Sequence, residues 1–419
     1  MHPRPLTSPR LATHKQSMRA SRRYTTGFLV AVVCATVVAA AINTWVDPLR
    51  LTAQPWADPD LDPYREISSQ IRSGKAGMLR QAGSIDVAFI GSSRIANGFD
   101  PTLDQWGDRE VLNLGCSGGF LFESVAIARH LLKHDAPEII LLGIDPGDLT
   151  SSVDTRPLGD FYSSPFNPDG DALDREIRYW IGISTLEESL ETLERKRLER
   201  PATYTAEGLR KSGLGRSRGG HRQLDFIRSN LAGEAFLADD SPTAREVNPP
   251  KIAALHELLA AVRQGPTRLI LFLQPRHVLL GSSLEQIDDP ICLYQAEREA
   301  LVELVGEANA VESPGPRIDY WEFLDFHPIN TEPLPLDEGE PMNYWTDLDH
   351  FTVPIGNAMQ ARMMGWPVQP PIAADYGEQV TEESLPSRIE QIKKDSVDYL
   401  TGPGVRDLKW KEKQASETP

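Results

Sequence analysis

Ser93, Asp347 and His350 are the residues whose types and spacing best suit chemistry in this chain. A nucleophilic hydroxyl needs a base to take its proton, and the base needs a third group to hold its tautomer. Ser93 follows the apolar run Val87–Ile90 and the pair Gly91-Ser92, the pattern of a buried parallel strand entering a loop. Asp347 precedes His350 by three residues, a spacing that on a loop or first helical turn lets carboxylate and imidazole meet. Asp349 ranks below it, because an adjacent residue usually points elsewhere. Gly115, Gly118 and Gly119 would let backbone N–H groups approach a substrate oxygen with no Cβ in the way. Each piece has a plainer reading alone: Ser as a helix cap, Asp before a helix as a cap, the glycines as a turn.

The elements that must position these residues follow from hydrophobic pattern. Strands are expected at 85–90, 110–114, 138–143, 267–274 and 317–323. Helices are expected at 122–134, 252–263, 294–307 and 353–364, where apolar residues recur at helical spacing. Strand, helix, strand in this order makes right-handed βαβ units and hence an α/β fold with a mostly parallel sheet. Such a sheet gathers its strand ends into one crevice. Ser92 and Ser93, Asn113–Gly119 and Gly143–Asp145 all stand at expected strand ends. Residues 151–250 interrupt the pattern with one or two charge-rich helices over 173–198. A basic cluster follows, Arg210, Lys211, Arg216, Arg218, His221 and Arg222 among glycines, read as a solvated loop. After Pro367 the chain turns polar, with one exposed helix over 382–400 and a frayed tail.

The N-terminus bounds the compartment. Residues 1–23 are a basic tail, and residues 24–46 contain no charge over a length that spans a bilayer core. The six basic residues before this segment place the N-terminus in the cytoplasm and the remainder outside it. An uncleaved anchor is favoured over a signal peptide because the apolar run exceeds a usual signal core. Residues 47–84 read as a polar stalk carrying a short helix. The net charge of −17, with every residue before Asp47 neutral or basic, makes the rest of the chain strongly acidic. That excludes a nucleic-acid partner and broad adhesion to anionic headgroups. The three cysteines show no zinc spacing, and no cofactor is expected.

In order along the chain, Gly91-Ser92-Ser93, Asn113-Leu-Gly-Cys-Ser-Gly118, Gly143-Ile-Asp145 and Asp347-Leu-Asp-His350 resemble the blocks of the SGNH/GDSL hydrolase superfamily. The resemblance is to its membrane-anchored extracytoplasmic branch, similar to D-alanyl transfer and alginate O-acetylation proteins. It covers residues 85–365 without the insertion 151–250. It implies a three-layer α/β/α domain over 85–366 on a single-pass anchor in a bacterial inner (cytoplasmic) membrane, with 367–419 as a polar tail. It makes Ser93 the nucleophile, His350 and Asp347 its base and acid, Gly118 an oxyanion donor, and Asn113 an oxyanion or substrate contact. The implied function is an O-acyltransferase or esterase acting on a cell-surface polysaccharide or glycolipid. Its partners would be an acyl donor and carbohydrate acceptor, or an ester substrate, and a membrane acyl-transfer protein. The alternative is a non-catalytic member of an envelope polysaccharide assembly.

Two positions depart from the family pattern. Ser92 stands where Asp is usual, as also in the anchored branch. Asp145 stands where an Asn usually donates to the oxyanion, and an ionised carboxylate only accepts. Such a donor is normally worth about 3–4 kcal/mol. Arg94 is therefore expected to pair with Asp145 or to serve the oxyanion itself. His277, Trp321 and Trp345 are lesser candidates for substrate contact, the two tryptophans by stacking on a sugar face.

Overall fold

The computed structural model describes residues 9–52, 55–150, 159–211, 223–228, 231, 243, 246–336 and 341–417. Arg216, Arg218, His221 and Arg222 of the expected basic loop lie outside the described residues. In chain order the elements are α1 (Pro9–Val46), α2 (Ile71–Ala82), β1 (Val87–Ile90), α3 (Ser93–Gly98), β2 (Val111–Asn113), α4 (Leu121–His134) and β3 (Ile139–Ile144). Then come α5 (Ala172–Ile181), α6 (Ile183–Arg197), α7 (Pro249–Arg263), β4 (Arg268–Leu273), α8 (Gln295–Ala310) and β5 (Asp319–Glu322). The chain closes with α9 (Val353–Met364), β6 (Glu378–Gln379), α10 (Leu385–Thr401) and α11 (Val405–Glu417). They form two compact units: 1–48, 52–65 and 171–201 in one, 49–51, 66–170 and 202–419 in the other.

The larger unit is α/β. Among the described residues its six strands run in the order β2-β1-β3-β4-β5-β6, parallel except for the antiparallel β6. The chain steps from β1 outward to β2, then returns to β3 on the other side of β1. This reversal is a topological switch point, where the crevice at the strand ends opens. Right-handed crossovers put α3 on one face and α4, α7 and α8 on the other; α4 packs on α7 and α7 on α8. The strands Val-Ala-Phe-Ile, Ile-Ile-Leu-Leu-Gly-Ile and Arg-Leu-Ile-Leu-Phe-Leu are buried almost throughout, as strands covered on both faces must be. Val87 pairs with Ile139 and Ile139 with Arg268, so β1, β3 and β4 are in step and their C-terminal ends fall at one edge.

Two glycines let the helices that flank Ser93 and His350 pack closely. A Cβ at Gly356 in α9 would lie 2.0 Å from the Gly98 carbonyl oxygen, and one at Gly98 in α3 would lie 2.2 Å from the Phe351 ring. Only glycine lets α3 and α9 approach this closely. Ser93 begins the first of these helices, and His350 lies just before the second.

Two expectations need correction. Residues 47–84 are not a free stalk: α2 buries Ile71 to Leu79, Arg72 and Lys75 included. The Lys75 Nζ donates to the Asn113 carbonyl at 2.6 Å and also to that of Gly208, and Arg72 pairs with Glu123. Beyond residue 367 the expected helix is present as α10, but it is not an exposed helix and the segment is not a frayed tail. That segment adds β6 to the sheet, and Ile389, Ile392, Tyr399, Leu400 and Leu408 are buried. In both places polar composition hides a buried face whose charged groups are satisfied by distant partners.

The smaller unit contains α1 and the hairpin α5–α6. Its Ser21–Val46 stretch is long and apolar enough to cross a membrane, with none of its most apolar window buried. The expected charge-rich segment over 173–198 is two helices, broken at Gly182.

Gly356→Val should drive α9 off α3. We expect a lower midpoint of thermal unfolding, equivalent to about 1–3 kcal/mol. An unchanged midpoint would mean that this contact does not constrain the two helices.

Candidate active site

The site is built on the turn after β1 and on a short hairpin before α9. Ser92 caps α3, its Oγ accepting from the Arg94 N–H at 3.3 Å, and Ser93 opens the helix half-buried. The hairpin is closed by a bridge between Trp345 and Phe351 and by the Thr346 N–H donating to the His350 carbonyl at 2.9 Å. Trp345 is fully buried and its Nε1 donates to the Ile329 carbonyl, which fixes the hairpin to the core.

Ser93 Oγ lies 2.8 Å from His350 Nε2. His350 Nδ1 lies 2.8 Å from Asp347 Oδ2. The Asp347 Oδ1 accepts from the backbone N–H groups of Asp349 and His350, each at 2.7 Å. The carboxylate is therefore held by the loop that carries the imidazole. Burial would lower the His350 pKa, but the hydrogen bond and charge of Asp347 outweigh it and raise the value above 6.5. With Nδ1–H donated to Asp347, Nε2 is left to accept from the serine hydroxyl.

Beneath this row lies a charged network. Arg94 Nη1 meets Asp145 Oδ2 at 2.7 Å, Nη2 meets Asp349 Oδ1 at 2.7 Å, and Nε donates to the Asp349 carbonyl at 2.8 Å. Arg276 Nε donates to Asp349 Oδ1 at 2.8 Å and its Nη1 to the Tyr294 hydroxyl at 2.9 Å. Burial would raise the Asp349 pKa, but Arg94 and Arg276 hold it well below the usual carboxylate range. Burial would likewise depress Arg94, and Asp145 with Asp349 more than reverses this. Asp145 Oδ1 also accepts from Ser92 Oγ at 2.9 Å and from Gln274 Nε2 at 2.5 Å. Both its oxygens are engaged.

The expected pairing of Arg94 with Asp145 is present. Asp347, not Asp349, faces the imidazole. Asn113 needs correction: it is fully buried, its Nδ2 donates to the Ile95 and Phe99 carbonyls at 2.8 Å each, and its Oδ1 accepts from Gly115 N–H. It pins α3 to the end of β2 and has no donor left for an oxyanion or substrate. Among the candidate glycines, the N–H groups of Gly115 and Gly119 bond within the protein. Gly118 is exposed at φ 63°, in a left-handed conformation that favours glycine. Of the three it is the one exposed to solvent.

His277 is buried between the Glu332 carbonyl and the Leu279 N–H, and burial pushes its pKa down to about 4. Trp345 is core and cannot stack on a substrate, whereas Trp321 is half-buried. Cys116 and Cys292 are free buried thiols, and burial pushes Cys116 up to about 12, which removes it as a nucleophile. Gln274, Arg276 and Tyr294 are contributors that sequence reasoning did not single out. For the first two, position at the end of β4 beside β3 was the available signal. Among the described residues no group of three or more His, Cys, Asp and Glu is placed to hold a metal ion.

Asp347→Asn should lower the His350 pKa, because the raising interaction is lost. An NMR titration of the imidazole should show the fall, and an unmoved value would mean that Asp347 does not govern His350. Arg94→Met removes the shared cation of two carboxylates. It should cost on the order of 3 kcal/mol in denaturant unfolding, the low end for a broken buried pair, because Asp145 and Asp349 keep some solvent contact.

No protein family, curated protein or solved structure matches the chain.

Proposed function

We propose that the protein is a serine acyl-ester enzyme of SGNH-like type, an O-acyltransferase or esterase. The observation that carries this reading is the continuous hydrogen-bonded row from Ser93 Oγ through His350 to Asp347, 2.8 Å at each step. Ser93 Oγ attacks the ester carbonyl while His350 Nε2 takes its proton. Asp347 keeps the proton on Nδ1 and stabilises the imidazolium. The Gly118 N–H is the favoured donor to the oxyanion. His350 then returns the proton to the leaving oxygen, and the acyl group remains on Ser93. Transfer to a sugar hydroxyl, or to water, regenerates the serine by the same proton path in reverse.

The apolar segment that ends α1, preceded by basic residues, supports a single-pass anchor with the α/β unit outside the cytoplasm. A cell-surface polysaccharide or glycolipid is the substrate class consistent with that placement and with the resemblance of the sequence blocks. A second reading, a non-catalytic assembly partner with the same fold, is favoured by Asp145, an acceptor standing where a donor would assist the oxyanion.

A fluorophosphonate probe separates the two. Labelling should be lost in Ser93→Ala and His350→Ala but kept in Ser92→Ala, although that change removes a helix cap at about 0.5–2 kcal/mol. A wild-type protein that stays unlabelled would overturn the enzyme reading. Hydrolysis of a soluble ester should fall as pH drops through the His350 pKa, because only the neutral imidazole accepts the proton. That limb should lie above 6.5, the direction in which Asp347 moves the group.

A further inference from the structure

The smaller unit has an arrangement that the catalytic reading does not use. Both helices of the α5–α6 hairpin turn apolar side chains outward. On α5, Leu173 is 64% exposed, and Ile177 and Ile181 follow at successive four-residue steps, also exposed. One side of the helix thus carries a continuous apolar stripe. Tyr179, on the opposite side, is buried with its hydroxyl on Asp47 at 2.8 Å. On α6 the usual order is inverted. Thr185, Glu188, Ser189 and Thr192 are buried, while Ile183 is 75% exposed, Leu190 is exposed, and Leu186 and Leu193 are only half-buried.

The buried polar side has a reason. Asn43, in the last turns of α1, donates to the Trp180 carbonyl at 2.9 Å and the Gly182 carbonyl at 3.2 Å, and accepts from Ser189 Oγ at 3.1 Å. The hairpin is therefore fixed by its polar side to the end of the apolar helix. Trp45 and Trp56 are exposed in the same unit. An aromatic at the end of a span is the usual mark of the membrane–water interface.

We propose that the α5–α6 hairpin lies in the bilayer interface at the end of α1, with Leu173, Ile177, Ile181 and Ile183 inserted among the upper acyl chains. The occupant of the apolar surface is lipid. The argument is continuity: the surface belongs to a hairpin hydrogen-bonded to the helix that meets the membrane, and α1 exposes its own apolar side chains. The hairpin carries acids and bases in near balance, with no excess of positive charge to seek anionic headgroups. Insertion is thus driven by apolar burial and is independent of lipid charge.

The test uses the full chain in phosphatidylcholine liposomes with no other protein. Native Cys34, exposed on α1, carries an environment-sensitive fluorophore to report the span. In a Cys34→Ser background, Ile177→Cys reports the apolar side of α5 and Arg178→Cys its polar side. Lipids bearing nitroxides at shallow and deep chain positions quench each label. We expect deep quenching at Cys34, shallow quenching at position 177 several-fold stronger than at 178, and no change with added salt or anionic lipid. Quenching at Cys34 with equal, weak quenching at 177 and 178 would leave the span standing and overturn the interfacial hairpin. That result would assign the apolar surface to a protein partner. No quenching at Cys34 would overturn both.

Discussion

The guanidinium of Arg94 is the tie on which the candidate site depends. It follows Ser93 in sequence, so whatever it holds is held at a fixed offset from the hydroxyl. Its fork reaches the end of β3 through Asp145 and the histidine loop through the side chain and carbonyl of Asp349. Parallel geometry of this kind suits a guanidinium and not a lysine ammonium, which is a point charge on a flexible stem. Burial opposes the charge, but Asp145 and Asp349 outweigh it, so that Arg94 ends more basic, and Asp349 between Arg94 and Arg276 more acidic, than in water. The network fixes the turn and the loop that bring the serine, the imidazole and Asp347 into one hydrogen-bonded row.

Asp145 shows how such a network changes the chemistry available. A carboxylate left facing a developing oxyanion would oppose it. Here each Asp145 oxygen already accepts from a fixed donor, and its charge is matched by Arg94. The position therefore contributes structure and not oxyanion stabilisation. On the proposed reading an oxyanion would be met by backbone N–H groups, among which the exposed, left-handed Gly118 is the candidate.

The sequence made the sheet legible because its central strands are continuous apolar runs closed by Gly or small polar residues. The helix over 353–364 was legible to the residue because Thr352-Val-Pro opens it and Gly365 closes it. Ser93, Asp347 and His350 could be brought together on paper, since parallel strand ends converge whatever their separation. The misses share another cause. Asn113 stands at a strand end like the others, but its amide bonds to Ile95 and Phe99, and no pattern in one dimension shows that. Arg276 and Gln274 become site residues only once β4 is known to lie beside β3 in register. Helix α2 was read as part of a stalk because its buried Arg72 and Lys75 look like surface charges until their partners, more than thirty residues away, are known.

The same rule, that a polar group inside must be satisfied, also fixes the end of the apolar helix. Asn43 follows Ala39-Ala-Ala-Ile42, and a carboxamide left in hydrocarbon would be costly. Its amide instead meets carbonyls at the α5–α6 turn and its oxygen meets Ser189. Those carbonyls in turn belong to the end of α5 and the residue between the helices, where intrahelical partners run out. One side chain thus answers the unpaired groups of another helix end while its own polar atoms are satisfied. The unbroken apolar run before Asn43 thus ends at Ile42, and the apolar Trp45 and Val46 follow beyond the point where the helix is tied by hydrogen bonds.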